Sequence, residues 1–225
     1  MQGAGFQGTA VTDMQPSCLL FAVVEAGPGA PERLGAALAA VQIASVLITP
    51  AGDAVLDAAS AKPLVELAQR AGAAALIADD AELARALRAD GVHLGISMDP
   101  AGAYAEARRV LGPRGIVGVD AGISRDDAMT LAEDGAEYVA FGAPLDLTDL
   151  DKARARRADM IAWWAEIFEV PCVAFDVESA EAAEALARAG VDFVAVMLPT
   201  AEPPAASRDL VAEIAGAISL VEVTP

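Results

Sequence analysis

Aromatic side chains make up only 4% of the 225 residues, so the core has to be filled by Ala, Val, Leu and Ile. Histidine occurs once, at His93, and no Ser sits on a nucleophile elbow, which removes support for Ser/His/Asp catalysis. The two cysteines, Cys18 and Cys172, lie in separate apolar runs. They form neither a disulfide framework nor a metal motif, and read as buried reduced thiols. Cationic residues are scarce, with 15 Lys and Arg against 33 Asp and Glu for a net charge of −18. That field repels nucleic acid and anionic membranes, and disfavours anionic substrates unless a local cation overrides it. No apolar run approaches the ~20 residues that span a bilayer. The opening Met-Gln-Gly-Ala-Gly-Phe-Gln-Gly has no basic start of a signal peptide. A cytoplasmic location is expected, with residues 1–16 a flexible lead-in to one domain over 17–225.

What is present is a repeating alternation of short apolar run, turn and Ala-rich amphipathic helix. Continuous apolar runs indicate strands covered on both faces, as in a parallel sheet. The strands are read at 18–25, 45–49, 74–78, 91–95, 115–119, 138–142, 171–175 and 193–198. The helices are read at 31–41, 59–71, 81–89, 101–111, 124–134, 152–168, 179–189 and 207–220. Four helices end in similar segments, Arg70-Ala-Gly-Ala, Arg88-Ala-Asp-Gly, Glu133-Asp-Gly-Ala and Arg188-Ala-Gly-Val. Each reads as a glycine cap leading straight into the next strand, and such short returns keep successive strands parallel. Eight units without a hairpin signal predict a single α/β domain closed into a (β/α)8 TIM barrel. A doubly wound open sheet is disfavoured because no Gly-x-Gly-x-x-Gly opens the first helix.

Barrel chemistry sits at the C-terminal ends of the strands. That position selects Glu25, Thr49, Asp79, Asp80, Ser97, Asp99, Asp120, Pro144, Asp146, Asp176, Glu178 and Pro199, most of them carboxylates. Asp79 and Asp80 are metal candidates because Mg2+ takes carboxylate oxygens, although Asp80 equally suits the N-cap of the next helix. Asp120 and Asp176 end strands five and seven. They either face the mouth, where unpaired carboxylates repel, or tilt out to cap helices. His93 reads as a core histidine bonded to a neighbour. Lys152, Arg154, Arg156 and Arg157 form one cationic cluster, read as a solvated helix face. The tandem Trp163-Trp164 reads as helix packing.

Several segments resemble the thiamine phosphate synthases and their thiazole-tautomerase relatives. They are Leu76-Ile-Ala-Asp-Asp, Asp90-Gly-Val-His-Leu-Gly95, Ile116-Val-Gly-Val, Ala132-Glu-Asp-Gly-Ala-Glu-Tyr-Val-Ala-Phe-Gly142 and Ala187-Arg-Ala-Gly-Val-Asp-Phe-Val-Ala-Val196. They keep family order and spacing from about residue 45 to 198. The resemblance implies the same barrel and a reaction joining a pyrimidine diphosphate to a thiazole phosphate, with Mg2+ holding the departing diphosphate. It places Asp79, Asp80 and a displaced Asp99 at the metal and Lys152 as a displaced phosphate ligand; Thr49, Asp120 and Asp176, from their strand-end positions, are the other substrate candidates.

The phosphate-binding positions depart from the family pattern. The Gln-x-Arg-x-Lys segment is Leu47-Ile-Thr-Pro-Ala51, and Ser-Ala-His is Asp120-Ala-Gly122. The Thr-x-Thr-Lys loop is Ala143-Pro-Leu-Asp, Gly-Gly-Ile is Phe175-Asp-Val177, and the Ser after strand eight is replaced by Leu198-Pro199. Each lost charge-assisted contact costs roughly 1.5–3 kcal/mol, so diphosphate should bind poorly. Three readings follow: a transferase of the family; a non-catalytic barrel holding a thiamine-related ligand or partner; or an enzyme for a changed, non-phosphate substrate. Pairing into a homodimer through a helix face is expected to be accessible to an Ala-rich barrel.

Overall fold

The computed structural model describes residues 18–142 and 149–221. The strands are β1 (Leu19–Glu25), β2 (Ser45–Thr49), β3 (Ala74–Ala78), β4 (Gly91–Leu94), β5 (Ile116–Asp120), β6 (Tyr138–Phe141), β7 (Cys172–Ala174) and β8 (Phe193–Met197). They alternate with α1 (Ala30–Ala40), α2 (Ala58–Arg70), α3 (Ala81–Leu87), α4 (Pro100–Leu111), α5 (Arg125–Asp134), α6 (Leu150–Ile167), α7 (Ala180–Arg188) and α8 (Pro204–Ser219). All strand pairs are parallel, and β1 closes on β8 with Leu19 opposite Phe193 and Phe21 opposite Ala195. The expected (β/α)8 barrel is therefore the fold. The lead-in read over 1–16 lies outside the described residues. No helix among the described residues is long and apolar enough to cross a membrane.

Side chains alternate along each strand, so one parity fills the barrel and the other packs under the helices. The outer shell is made of Val, Ile, Leu and Ala, such as Val46, Ile48, Val117, Val119 and Val194, together with Trp164 and Phe141. The barrel interior differs from the expectation of an aliphatic filling. Phe21 meets Tyr138 and Phe175 edge to face at 6.0 and 5.7 Å, and His93 stacks on Phe175 at 4.7 Å. Phe21, Tyr138, Phe175 and Phe193 lie in this inner cluster, whereas Tyr104, Phe141, Trp163, Trp164 and Phe168 belong to the outer shell. Tyr138 fits because β5 carries Gly118 opposite it: a Cβ there would lie 1.9 Å from Tyr138 Cζ.

Three acids at the opposite, N-terminal end are structural. Asp90 accepts from Ala75 N (2.8 Å), Glu137 from Val117 N (2.7 Å) and Asp192 from Cys172 N (2.8 Å). Each stands just before an even-numbered strand and satisfies an early backbone donor of the odd strand beside it, a donor that would otherwise lack a partner. Both cysteines are buried and free, with thiol pKa values pushed up to about 12 chiefly by burial.

The helix-end reading holds with one correction. Gly72, Gly135 and Gly190 take positive φ at the ends of α2, α5 and α7, whereas α3 is capped by Arg88 at φ 57. Gly91 opens β4 instead, where a Cβ would lie 2.0 Å from the Ile116 carbonyl oxygen. Trp164 is fully buried, donates from Nε1 to Val170 O (2.7 Å) and stacks on Phe168 at 4.1 Å, so the tandem tryptophans do serve packing.

Candidate functional site at the barrel mouth

The inward parity of the strands brings Asp120, the last residue of β5, to the mouth beside Gly142, which follows β6. Asp120 Oδ1 accepts from Gly122 N at 2.7 Å. A Cβ built on Gly142 would lie 3.3 Å from Asp120 Oδ2 and 3.5 Å from Asp176 Oδ2. The two carboxylates thus converge on one glycine, as the mouth-facing reading expected, and a side chain at position 142 would stand between them. Burial raises the Asp120 pKa from 3.8 to about 6; the Asp176 charge adds to this, and the Gly122 and Gly142 amides oppose it. Asp176 itself has a left-handed backbone, φ 56.

Below this pair the barrel holds a wholly buried polar contact, His93 Nδ1 to Tyr138 Oη at 2.9 Å. Burial lowers the His93 pKa to about 4, so the imidazole is neutral at pH 7. It is the bonded core histidine that its strand position implied. The Tyr138 phenol is pushed well above its usual value by burial and then by Asp120, so it keeps its proton.

The three metal candidates are not brought together as one set. Asp80 Oδ1 accepts from Leu83 N (2.8 Å) and Asp99 Oδ1 from Gly102 N (2.9 Å), as the N-caps of α3 and α4. Asp79, at φ 54, turns its carboxylate to β4, where Oδ1 accepts from Gly95 N (2.7 Å). Among the described residues no three His, Cys, Asp or Glu are grouped to hold a metal ion.

Of the other substrate candidates, Thr49 is half-buried at the end of β2 and its hydroxyl donates to Val24 O at 3.4 Å. Lys152 is exposed at the start of α6 and pairs with Asp149 at 2.9 Å. Pro144 and Asp146 lie outside the described residues. A cavity of about 470 Å³ opens beside Asp120, lined by Ile96, Ser97 and Pro100 from the β4–α4 loop, residues 121–124 and Asp127 from the β5–α5 segment, and Gly142. Its walls are mainly apolar and its inner edge carries the Asp120 carboxylate.

Arg157 corrects the reading of its cluster as a solvated face. It is only 3% exposed, and its Nη1 donates to the carbonyls of Phe175 and Asp176, the latter at 3.0 Å. A signal for this was present in the sequence. Ala153, Arg157, Met160, Ile161 and Trp164 share the buried stripe of α6 at helical spacing, so position 157 faces the barrel whatever its charge. The sequence reading also missed the apolar loop residues Ile96 and Ile123, because loop side chains carry no periodicity.

The comparisons agree on the family. A family model described as thiamine monophosphate synthase matches residues 24–199. A thiamine-phosphate synthase of Erythrobacter litoralis is 36% identical over 192 residues, covering 83% of this chain and 89% of the relative. That of Rhodospirillum centenum is 40% identical over 167 residues, covering 72% and 78%. Among solved structures, thiamine phosphate pyrophosphorylase from Pyrococcus furiosus superposes with a TM-score of 0.70 at 19% identity, covering 90% of this chain and 96% of that one. Mycobacterium tuberculosis tryptophan synthase gives 0.73 at 15% identity, covering 91% and 93%. At those identities the two structures attest the barrel alone.

Proposed function

Because the chain belongs to the thiamine monophosphate synthase family, we propose that its barrel mouth binds a thiamine-related small molecule and that the family's diphosphate-transfer chemistry is disabled in it. The observation that carries this reading is the convergence of Asp120 and Asp176 on Gly142. In the family resemblance, the segment holding Asp176 is a glycine-rich phosphate loop. A carboxylate and a phosphate oxygen about 4 Å apart repel by roughly 4 kcal/mol at an effective dielectric of about 20. These like charges, added to the missing Arg and Lys contacts, oppose a bound diphosphate. The apolar cavity beside Asp120 suits a planar ring, with Asp120 at its edge to accept from or donate to a ring substituent according to pH.

Mg2+, which the resemblance implies, would meet Asp79 through the carboxylate oxygen not engaged by Gly95, with water and ligand oxygens completing its shell. Asp80 and Asp99 have their Oδ1 atoms committed as helix caps. What the chain's own residues do at the mouth is bind and orient: the Gly122 and Gly142 amides hold Asp120, and the His93–Tyr138 pair below it is buried and neutral.

An active transferase is the second reading. It is favoured by the buried Arg157 guanidinium beneath the β7–α7 loop and by the identity to named synthases. Calorimetry with thiazole phosphate, the aminopyrimidine alcohol and thiamine phosphate, run beside an assay of thiamine phosphate formation with Mg2+, separates the two. Heat of binding without product supports the proposal. Product formation at saturating substrate returns the chain to the transferases, and three flat titrations overturn the ligand assignment.

A further inference from the structure

We propose that Arg157 is a positioning residue: its guanidinium clamps the Phe175 and Asp176 carbonyls and so fixes the β7–α7 loop with the Asp176 carboxylate facing Asp120 across Gly142. The proposal rests on the reading of that carboxylate pair as ligand-facing.

Three observations support it. Asp176 holds φ 56, a conformation that residues with a Cβ seldom adopt and that surrounding contacts enforce. Arg157 provides that enforcement, because one Nη1 bonds two successive carbonyls on the residues that set the loop's direction. Arg157 is also buried with its Nε unpartnered among the described residues, so the side chain is held there at a desolvation cost. Burial acts to lower its pKa, and Asp176 is the largest opposing influence.

The same device recurs among the described residues: Arg108 Nη1 donates to Gly112 O (3.0 Å) and Gly115 O (2.7 Å) in the α4–β5 loop. Arg33, in the buried stripe of α1, donates to Pro28 O (2.9 Å) and Glu25 O (3.2 Å) and so ties down the β1–α1 loop. There the left-handed position is Gly29, at φ 74, which carries no penalty. At the β7–α7 loop the left-handed residue is an aspartate aimed into the mouth. The clamp there serves to present a charge as well as to complete a turn.

The test reads the arrangement without any ligand. The ionisable groups around Asp120 are Asp176 from the β7–α7 loop, Tyr138 from β6 and Asp127 across the cavity. Those around Arg157 are Asp176, Arg154 and Glu178. Carboxyl-carbon NMR follows the Asp120 titration in the full chain, starting from a midpoint of about 6. Asp176→Asn should lower that midpoint by about half a pH unit through loss of a like charge. Arg157→Met should lower it similarly, because Asp176 swings away, and the double variant should fall no further than Asp176→Asn. A rise in Arg157→Met, as expected if only a cation were lost, overturns the proposal, and so does an additive double variant. Should Arg157→Met not fold, Arg157→Lys decides. The lysine keeps the charge but its shorter side chain withdraws the donor from the two carbonyls, so a lowered midpoint supports positioning and an unchanged one refutes it. Failure of all ligand titrations would sink the proposed function and leave this result standing.

Discussion

Replacing Asp120 by Asn is expected to add an upward slope to the pH–stability profile between about pH 4 and 6. Two buried groups oppose each other in that window. Asp120 titrates at about 6 in the fold against 3.8 for the free side chain. Its contribution is therefore fully present below about pH 3.8 and lost as pH rises through about 6. His93 titrates at about 4 against 6.5. Its contribution is present above about pH 6.5 and lost as pH falls through about 4. Each displacement corresponds to about 3 kcal/mol over its full range, at ~1.4 kcal/mol per pH unit. Between the two values the folded chain holds one proton the unfolded chain lacks, on Asp120, and lacks one the unfolded chain holds, on His93. The proton difference cancels, and with it the slope contributed by these two groups. Asp120→Asn should leave the His93 slope alone, so stability relative to the parent rises with pH at roughly 1.4 kcal/mol per unit. His93→Gln should fall at the same rate. Urea unfolding at half-unit pH steps measures both differences. Exposed carboxylates such as Asp57 and Asp149, whose pKa values are lowered by local hydrogen bonds, are common to all three proteins and drop out. A variant-minus-parent difference that is flat across the window, or that slopes the other way, refutes the argument.

Two further outcomes are expected from the packing. Gly118→Ala forces a methyl into the Tyr138 ring and should cost about 2–6 kcal/mol, the sum of overpacking and a broken buried bond to His93. Pairing it with Tyr138→Leu should recover part of that loss in denaturant unfolding, and a fully additive pair would show that the clash is not the cause. Trp164→Phe strands the Val170 carbonyl and opens space under α6, for an expected loss of about 2–4 kcal/mol by the same assay. A loss below about 1 kcal/mol would mean that another group satisfies that carbonyl.

Much of the scaffold was legible in the residues because it rests on local rules. Apolar runs such as Ser45–Thr49 and Ala74–Ala78 have no other stable use than strands covered on both faces, and both keep their expected bounds. Ser124 before two acids does cap α5, accepting from Asp127 N at 3.2 Å, and Asp80 caps α3. Gly135 and Gly190 stop helices by taking backbone angles that residues with a Cβ avoid. The family segments added a second, independent line to the same barrel.

The mouth was legible only as a set of residue types. Strand parity placed Asp120 and Gly142 inside, yet no local pattern says that a residue just beyond β7 adopts φ 56 and turns its carboxylate toward the end of β5. Nor does charge alone reveal that Arg157 is buried while its neighbours Lys152 and Arg154 pair with acids at the surface. The sequence by itself determined the eightfold alternation, the helix ends and the family, because propensity, capping and hydrophobic period act over a few residues. Tertiary structure decided which carboxylates share one space, which arginine sits beneath them and which aromatics fill the barrel. Those relations exist only once the ring has closed and distant strands have become neighbours.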